Sequence, residues 1–124
     1  MAEVFFKHEK YRLGELKDEY IERWTREMRR HPVLGPLDLT ARQRRVVAWL
    51  IWNKKVCESN GEVPDAQPAP VAGRDANGRV VVQRIEHKTL RMWALTKEGD
   101  PADIKEPVVS LRTGERVEVP QYAR

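Results

Sequence analysis

The chain holds one cysteine, Cys57, so no internal disulfide can form and nothing in the sequence calls for an oxidising compartment. Histidine is nearly as scarce. His8, His31 and His87 share no recognised zinc spacing with one another or with Cys57, so neither a structural metal nor any cofactor is expected. Long apolar runs are also missing: Val4-Phe5-Phe6 is far short of a signal-peptide core, and nothing approaches the roughly 20 apolar residues that span a bilayer. The expected location is cytoplasmic, with no membrane partner. The glycines are scattered and form neither a phosphate loop nor a dinucleotide fingerprint.

These shortages weigh against catalysis. Cys57 falls at the end of an apolar helical stretch, where an inert thiol is expected; Lys54 and Lys55 could lend charge, but nothing supplies a base. Carboxylate pairs such as Asp100 with Asp103, or Glu115 with Glu118, read as solvated loop and strand-edge residues, because no concave site is signalled around them. An enzyme is the least favoured class.

Charge and tryptophan are what the chain has in quantity. Lys and Arg number 23 against 19 Asp and Glu, a formal charge of +4 that suits nucleic acid, acidic proteins or anionic surfaces. Four Trp, three Tyr and two Phe mark a folding chain, and 124 residues suffice for one core. From Gly14, an acceptable N-cap, to about Arg30, the residues Leu13, Leu16, Tyr20, Trp24 and Met28 recur every three or four positions, with Ile21 widening the stripe. This predicts an amphipathic helix. Early acids and late Arg23, Arg26, Arg29, Arg30 and His31 agree with its dipole, and Glu19 with Arg23 and Glu22 with Arg26 have favourable spacing.

Pro32 and Pro36 break this helix, and Thr40 with Gln43 has the capping-box spacing that begins a second one, running to about Cys57. Its run Val46-Val47-Ala48-Trp49-Leu50-Ile51-Trp52 makes an apolar arc, extended by Val56, too wide for one neighbour. Either the helix is central to the core or part of it meets a partner. Residues 58–73, rich in Pro, Gly and small polar side chains, read as a linker or long loop. Beyond it Asn77-Gly78 predicts a turn leading into a strand from Arg79 to Ile85. Thr89 to Leu95 predicts another strand, with a short helix as the alternative, and Val108–Arg112 with Arg116–Val119 predicts a second hairpin around Thr113-Gly114-Glu115. The expected fold is α+β: a helical region over 1–57, the linker, then a small antiparallel hairpin or meander region over 74–124, all within one compact domain.

Two local resemblances bear on function. The segment Leu39-Thr40-Ala41-Arg42-Gln43-Arg44-Arg45-Val46-Val47 resembles the opening of helix-turn-helix domains, although a Pro-rich segment follows where a DNA reader needs a second helix. Tyr11-Arg12-Leu13-Gly14-Glu15-Leu16-Lys17, together with the later Leu39–Arg45 stretch, resembles small accessory proteins of tailed phages, including tail-assembly chaperones. That likeness covers under half the chain. It implies a viral accessory or assembly role, in the host cytoplasm or the virion, and a more helical fold than the C-terminal half suggests.

The arginines define the expected site. Helix electrostatics accounts for those of the first helix, with Arg26, Arg29 and Arg30 remaining as an anion-binding option. Arg42, Arg44 and Arg45 open the second helix, where the dipole disfavours cations, so either nearby acids or an anionic partner should offset them. The leading expectation is a non-enzymatic protein-interaction protein docking through Arg42, Arg44, Arg45, Trp49 and Trp52, with self-association as one use of the wide arc. The alternative is a nucleic-acid-binding module contacting phosphates through the same arginines.

Overall fold

The computed structural model describes residues 10–59, 69–86 and 89–121, with side chains omitted at 10–17 and 55–59. The expectations for Val4-Phe5-Phe6, His8, His87 and most of the 58–73 segment therefore lie outside the described residues, as do those for the side chains of Leu13, Leu16, Lys55, Val56 and Cys57. Two helices are followed by a six-stranded antiparallel sheet, an α+β arrangement.

Helix α1 spans Lys10–Glu27 and tightens into a 3₁₀ turn over Met28–Arg30. It begins earlier than the sequence suggested, so Gly14 lies within it and not at its cap. The apolar stripe behaves as predicted: Ile21 and Met28 are buried and Tyr20 and Trp24 half-buried. Arg23 pairs forward with Glu27 at 3.5 Å, not back with Glu19. In the proline-bearing connector the His31 Nδ1 accepts the amides of Val33 and Leu34, both at 3.1 Å, and Asp38 takes a left-handed conformation (φ 54°) that turns the chain into the next helix.

Helix α2 spans Ala41–Ser59, and the predicted capping box is formed at its start. The Gln43 amide donates to the Thr40 hydroxyl at 3.2 Å, and the Thr40 amide to Gln43 Oε1 at 2.9 Å. Both side chains then continue to the sheet. The Thr40 hydroxyl donates to the Lys97 carbonyl at 2.8 Å and Gln43 Nε2 to that of Thr96 at 2.9 Å. One cap thereby starts the helix and fastens it to the turn after the third strand.

The strands are β1 (Val71–Arg74), β2 (Val80–Glu86), β3 (Thr89–Leu95), β4 (Pro101–Ala102), β5 (Val108–Val109) and β6 (Arg116–Val117), in the spatial order β4-β3-β2-β1-β5-β6. Thr89–Leu95 is a strand, as the leading expectation had it. Strand β1 corrects the reading of 58–73 as wholly linker. Val71 and Gly73 pair with Val82 and Val81, and a register shift between them breaks the alternation that would have marked a strand in the sequence. Strand β4 went unseen because two residues carry no period and one is proline, tolerated here on an edge. Strands β5 and β6 are shorter than predicted: the Ser110 hydroxyl accepts the amides of Arg112 and Thr113 and starts the turn early.

Pleating sorts the sheet into two faces. Val80, Val82, Trp93 and Leu95 point to the helices and join Ile21, Met28, Leu37, Leu39 and residues 46–50 in the main core. Val81, Met92, Ile104 and Val108 form a second cluster on the opposite face. Helical and stranded halves thus share one core.

The β1–β2 turn is built around Asp75, whose side chain is fully buried (0% exposed). Its carboxylate accepts the amides of Asn77, Arg79 and Lys105 and pairs with the Arg79 guanidinium at 3.0 Å. Burial pushes this carboxyl up, but the amides, the Arg79 side-chain bond and the Arg79 charge outweigh it and hold the group below its ordinary value. Such a group stabilises the fold fully above the unfolded Asp value of about 3.9, and the contribution disappears as pH falls through the lower folded value. Asp75→Asn is expected to cost about 2 kcal/mol near neutral pH and to flatten stability against pH below about 4, measured by urea unfolding of both proteins across the acid range.

Gly73 is required for another reason. A Cβ there would fall on the Val109 carbonyl oxygen, so β5 can approach β1 only against glycine. Gly73→Ala is expected to destabilise by about 2 kcal/mol, with thermal unfolding as the measurement and loss of slowly exchanging amides in β5 and β6 as its local signature.

Candidate functional site

The five residues expected to form a docking face do not share one. Trp49 is 0% exposed, in a run from Val46 to Leu50 that is buried throughout, and Arg84 of β2 lies over its ring at 5.1 Å. The wide apolar arc is explained by α2 meeting α1 on one side and the sheet on the other. Trp49 is therefore a core residue, corrected from a partner anchor. Trp52 is half-buried against Tyr20 (ring centroids 4.7 Å apart), which in turn meets Trp24 at 6.2 Å. The indole N–H groups of Trp24 and Trp52 are buried without an acceptor among the described residues, and ring packing holds this seam.

The arginines at the start of α2 are differently disposed. Arg42 and Arg45 are exposed and Arg44 is half-buried. Arg45 reaches Asp18 of α1 at 3.7 Å, an internal offset of the kind the dipole argument required, though both side chains are at least half exposed and the pair is worth little. Gly99 packs on the Arg42 carbonyl, which brings Glu98 and Asp100 to the same helix end. Arg26, Arg29 and Arg30 are exposed, and neither they nor Arg42 has an acidic partner among the described residues.

Arg84 is buried (6% exposed) and faces Arg91 across the β2–β3 ladder, a like-charge pairing. Glu86 lies between them, 3.6 Å from one guanidinium and 3.5 Å from the other. Cation and tryptophan do meet in this protein, as one internal joint between helix and sheet.

A cleft of about 620 Å³ opens where α1, the connector, α2, β1 and the β5–β6 turn converge. Val47, Ile51 and Lys54, at helical i, i+4 and i+7 spacing, make the α2 wall, with Trp24 beside them. Val71 of β1 and Leu111 of the β5–β6 turn line it from the sheet side, and Val33 and Leu34 close the connector side. The cationic side chains along it are Lys54 and Arg112, with His31 beside them, and no carboxylate is among its described lining residues. His31 accepts two backbone amides at Nδ1, which leaves the ring proton on Nε2 in the neutral form. An apolar trough with one sign of charge at its margin suits a ligand with an apolar body and anionic groups. Among the described residues no group of His, Cys, Asp and Glu is placed to hold a metal ion, and no helix is long and apolar enough to cross a membrane.

None of the cleft residues belonged to the expected site. The Val47, Ile51, Lys54 spacing was readable, but it was masked by the wider arc containing Trp49. Val71 and Leu111 lie 40 residues apart and meet only through sheet order.

Substitution separates core from surface. Trp49→Ala is expected to cost about 3–5 kcal/mol, whereas Arg45→Ala should change stability by less than about 1 kcal/mol, both from denaturant midpoints. No protein-family model, no curated protein and no solved structure matches this chain, so its functional reading rests on the geometry of the cleft.

Proposed function

We propose that this protein is a non-enzymatic interaction module that docks onto a protein partner by taking an acidic, apolar segment of that partner into the cleft. The observation that carries the reading is the pairing of apolar walls with the Lys54 and Arg112 cations and no described carboxylate. Interfaces owe their energy to buried apolar anchors and their orientation to complementary charge, and this trough offers both. The site has moved from Trp49 and the start of α2 to the opposite side of the same helix. Such docking suits an accessory or assembly factor of the tailed-phage kind that the helical segments resemble.

A second reading has its own observation: exposed Arg26, Arg29, Arg30 and Arg42, lacking acidic partners among the described residues, could bind nucleic-acid phosphates. Salt distinguishes the two. A fluorescent peptide of alternating valine and glutamate is expected to bind the full chain with modest salt dependence, and Lys54→Glu with Arg112→Glu should weaken it about tenfold. Steep, log-linear salt sensitivity toward labelled DNA or RNA, unaffected by those substitutions and lost in Arg26, Arg29, Arg30 and Arg42 alanine variants, would favour nucleic acid instead.

A further inference from the structure

Among the described residues, the wall of the cleft formed by β1 is a strand edge left unpaired at Val71. Val71 lies opposite Val82 of β2, and the Gln83 amide donates to the Pro70 carbonyl at 2.9 Å. In an antiparallel ladder a hydrogen bond placed there flanks the Val71–Val82 pair instead of joining it. The amide and carbonyl of Val71 therefore point away from β2, toward the side where β5 would lie. Strand β5 does not reach them. Its register with β1 consists of Arg74 opposite Val109, and at Ser110 the chain enters the turn to β6, the Ser110 carbonyl accepting the Gly114 amide at 3.0 Å and its hydroxyl those of Arg112 and Thr113. Gly73, with the Val109 carbonyl against its Cα, marks where β5 pairing begins and where any added strand must stop.

We infer that the partner segment is held in extended form, added as a short strand to the open edge of β1 at Val71, between β1 and the β5–β6 turn. The inference rests on the proposed docking reading and specifies how the occupant binds. Backbone bonds to Val71 fix its direction, while alternate side chains fall toward Trp24, Val47 and Ile51 and the others toward solvent. Lys54 and Arg112, on two sides of the cleft, receive its acidic groups. A helical segment has its own backbone bonds satisfied and would leave the Val71 groups unmet.

The test uses the full ¹⁵N-labelled chain and an acetylated, amidated hexapeptide of alternating glutamate and valine. Two companion peptides are N-methylated at every valine or at every glutamate, since successive amides of a strand face opposite edges. Strand addition predicts that one methylated peptide binds about as well as the parent while the other loses about tenfold or more, the worth of one or two backbone hydrogen bonds. It also predicts slowed exchange of the Val71 amide at saturation. Equal binding by both methylated peptides, or unchanged Val71 exchange in a saturated complex, overturns strand addition and leaves docking in the cleft standing. If the parent peptide at millimolar concentration shifts no resonance of Ile51, Val71 or Leu111, both readings fall.

Discussion

Burial of α2 between α1 and the sheet is the constraint on which the other features depend. Five successive residues, Val46 to Leu50, are inaccessible, which a helix achieves only when different neighbours cover different sides. Each large apolar side chain removed from water contributes roughly 1.5–3 kcal/mol before entropy is counted, so this one helix carries a large share of the driving force. Its position is set at one end by polar chemistry. Thr40 and Gln43 cap the helix and bond the carbonyls of Lys97 and Thr96, so the residues that begin α2 also fix its contact with the β3–β4 turn. Halfway along, the Arg84 guanidinium over Trp49 makes a second polar joint inside the interface, with Glu86 easing its repulsion from Arg91.

The cleft follows from the same placement combined with unequal strands. Helix α2 covers the sheet over β2 and β3, but β1 lies further out, and its outer neighbour β5 pairs with it only at Arg74. The gap left beside Val71 is roofed by Trp24, Val47 and Ile51 and bounded by Leu111. Two tight turns stabilise the strands on either side. Asp75 gathers three amides and a guanidinium at the β1–β2 turn, and the Ser110 hydroxyl ends β5 after two residues. Had β5 continued in register, the edge of β1 would be paired and the gap closed. Among the described residues, the short β5 leaves the Val71 edge without a strand partner.

Charge has two separate roles in this fold. Asp75 with Arg79, and Glu86 with Arg84, are shielded pairs close to backbone that must be satisfied, and they serve architecture. Arg45 with Asp18, and Arg23 with Glu27, sit in solvent where attraction is largely screened. Arg26, Arg29, Arg30 and Arg42 are exposed outside the cleft and have no acidic partner among the described residues, whereas the exposed Arg112 lies at its margin.

Local pattern determined much of the fold. The 3.6-residue stripe of α1, the Thr40–Gln43 box, the Asn77-Gly78 turn and the β-branched run after Arg79 each act over a few residues, so their physics is written in adjacent letters. The α+β order followed from them. What pattern could not decide was which side of α2 faces water, because that depends on two neighbours approaching from elsewhere in the chain. A composition of arginine beside tryptophan suggested an exposed anchor, whereas Trp49 lies under the sheet with a different arginine, Arg84, over its ring. Strand β1 was hidden in a Pro- and Gly-rich segment because its regularity comes from pairing with Val80–Val82 and not from its own alternation. The candidate site was therefore not legible. Val47, Ile51 and Lys54 share a helical face that sequence can show, but Val71, Leu111 and Arg112 join them only because the sheet places β1 and the β5–β6 turn side by side, a consequence of long-range pairing that no short stretch of sequence encodes.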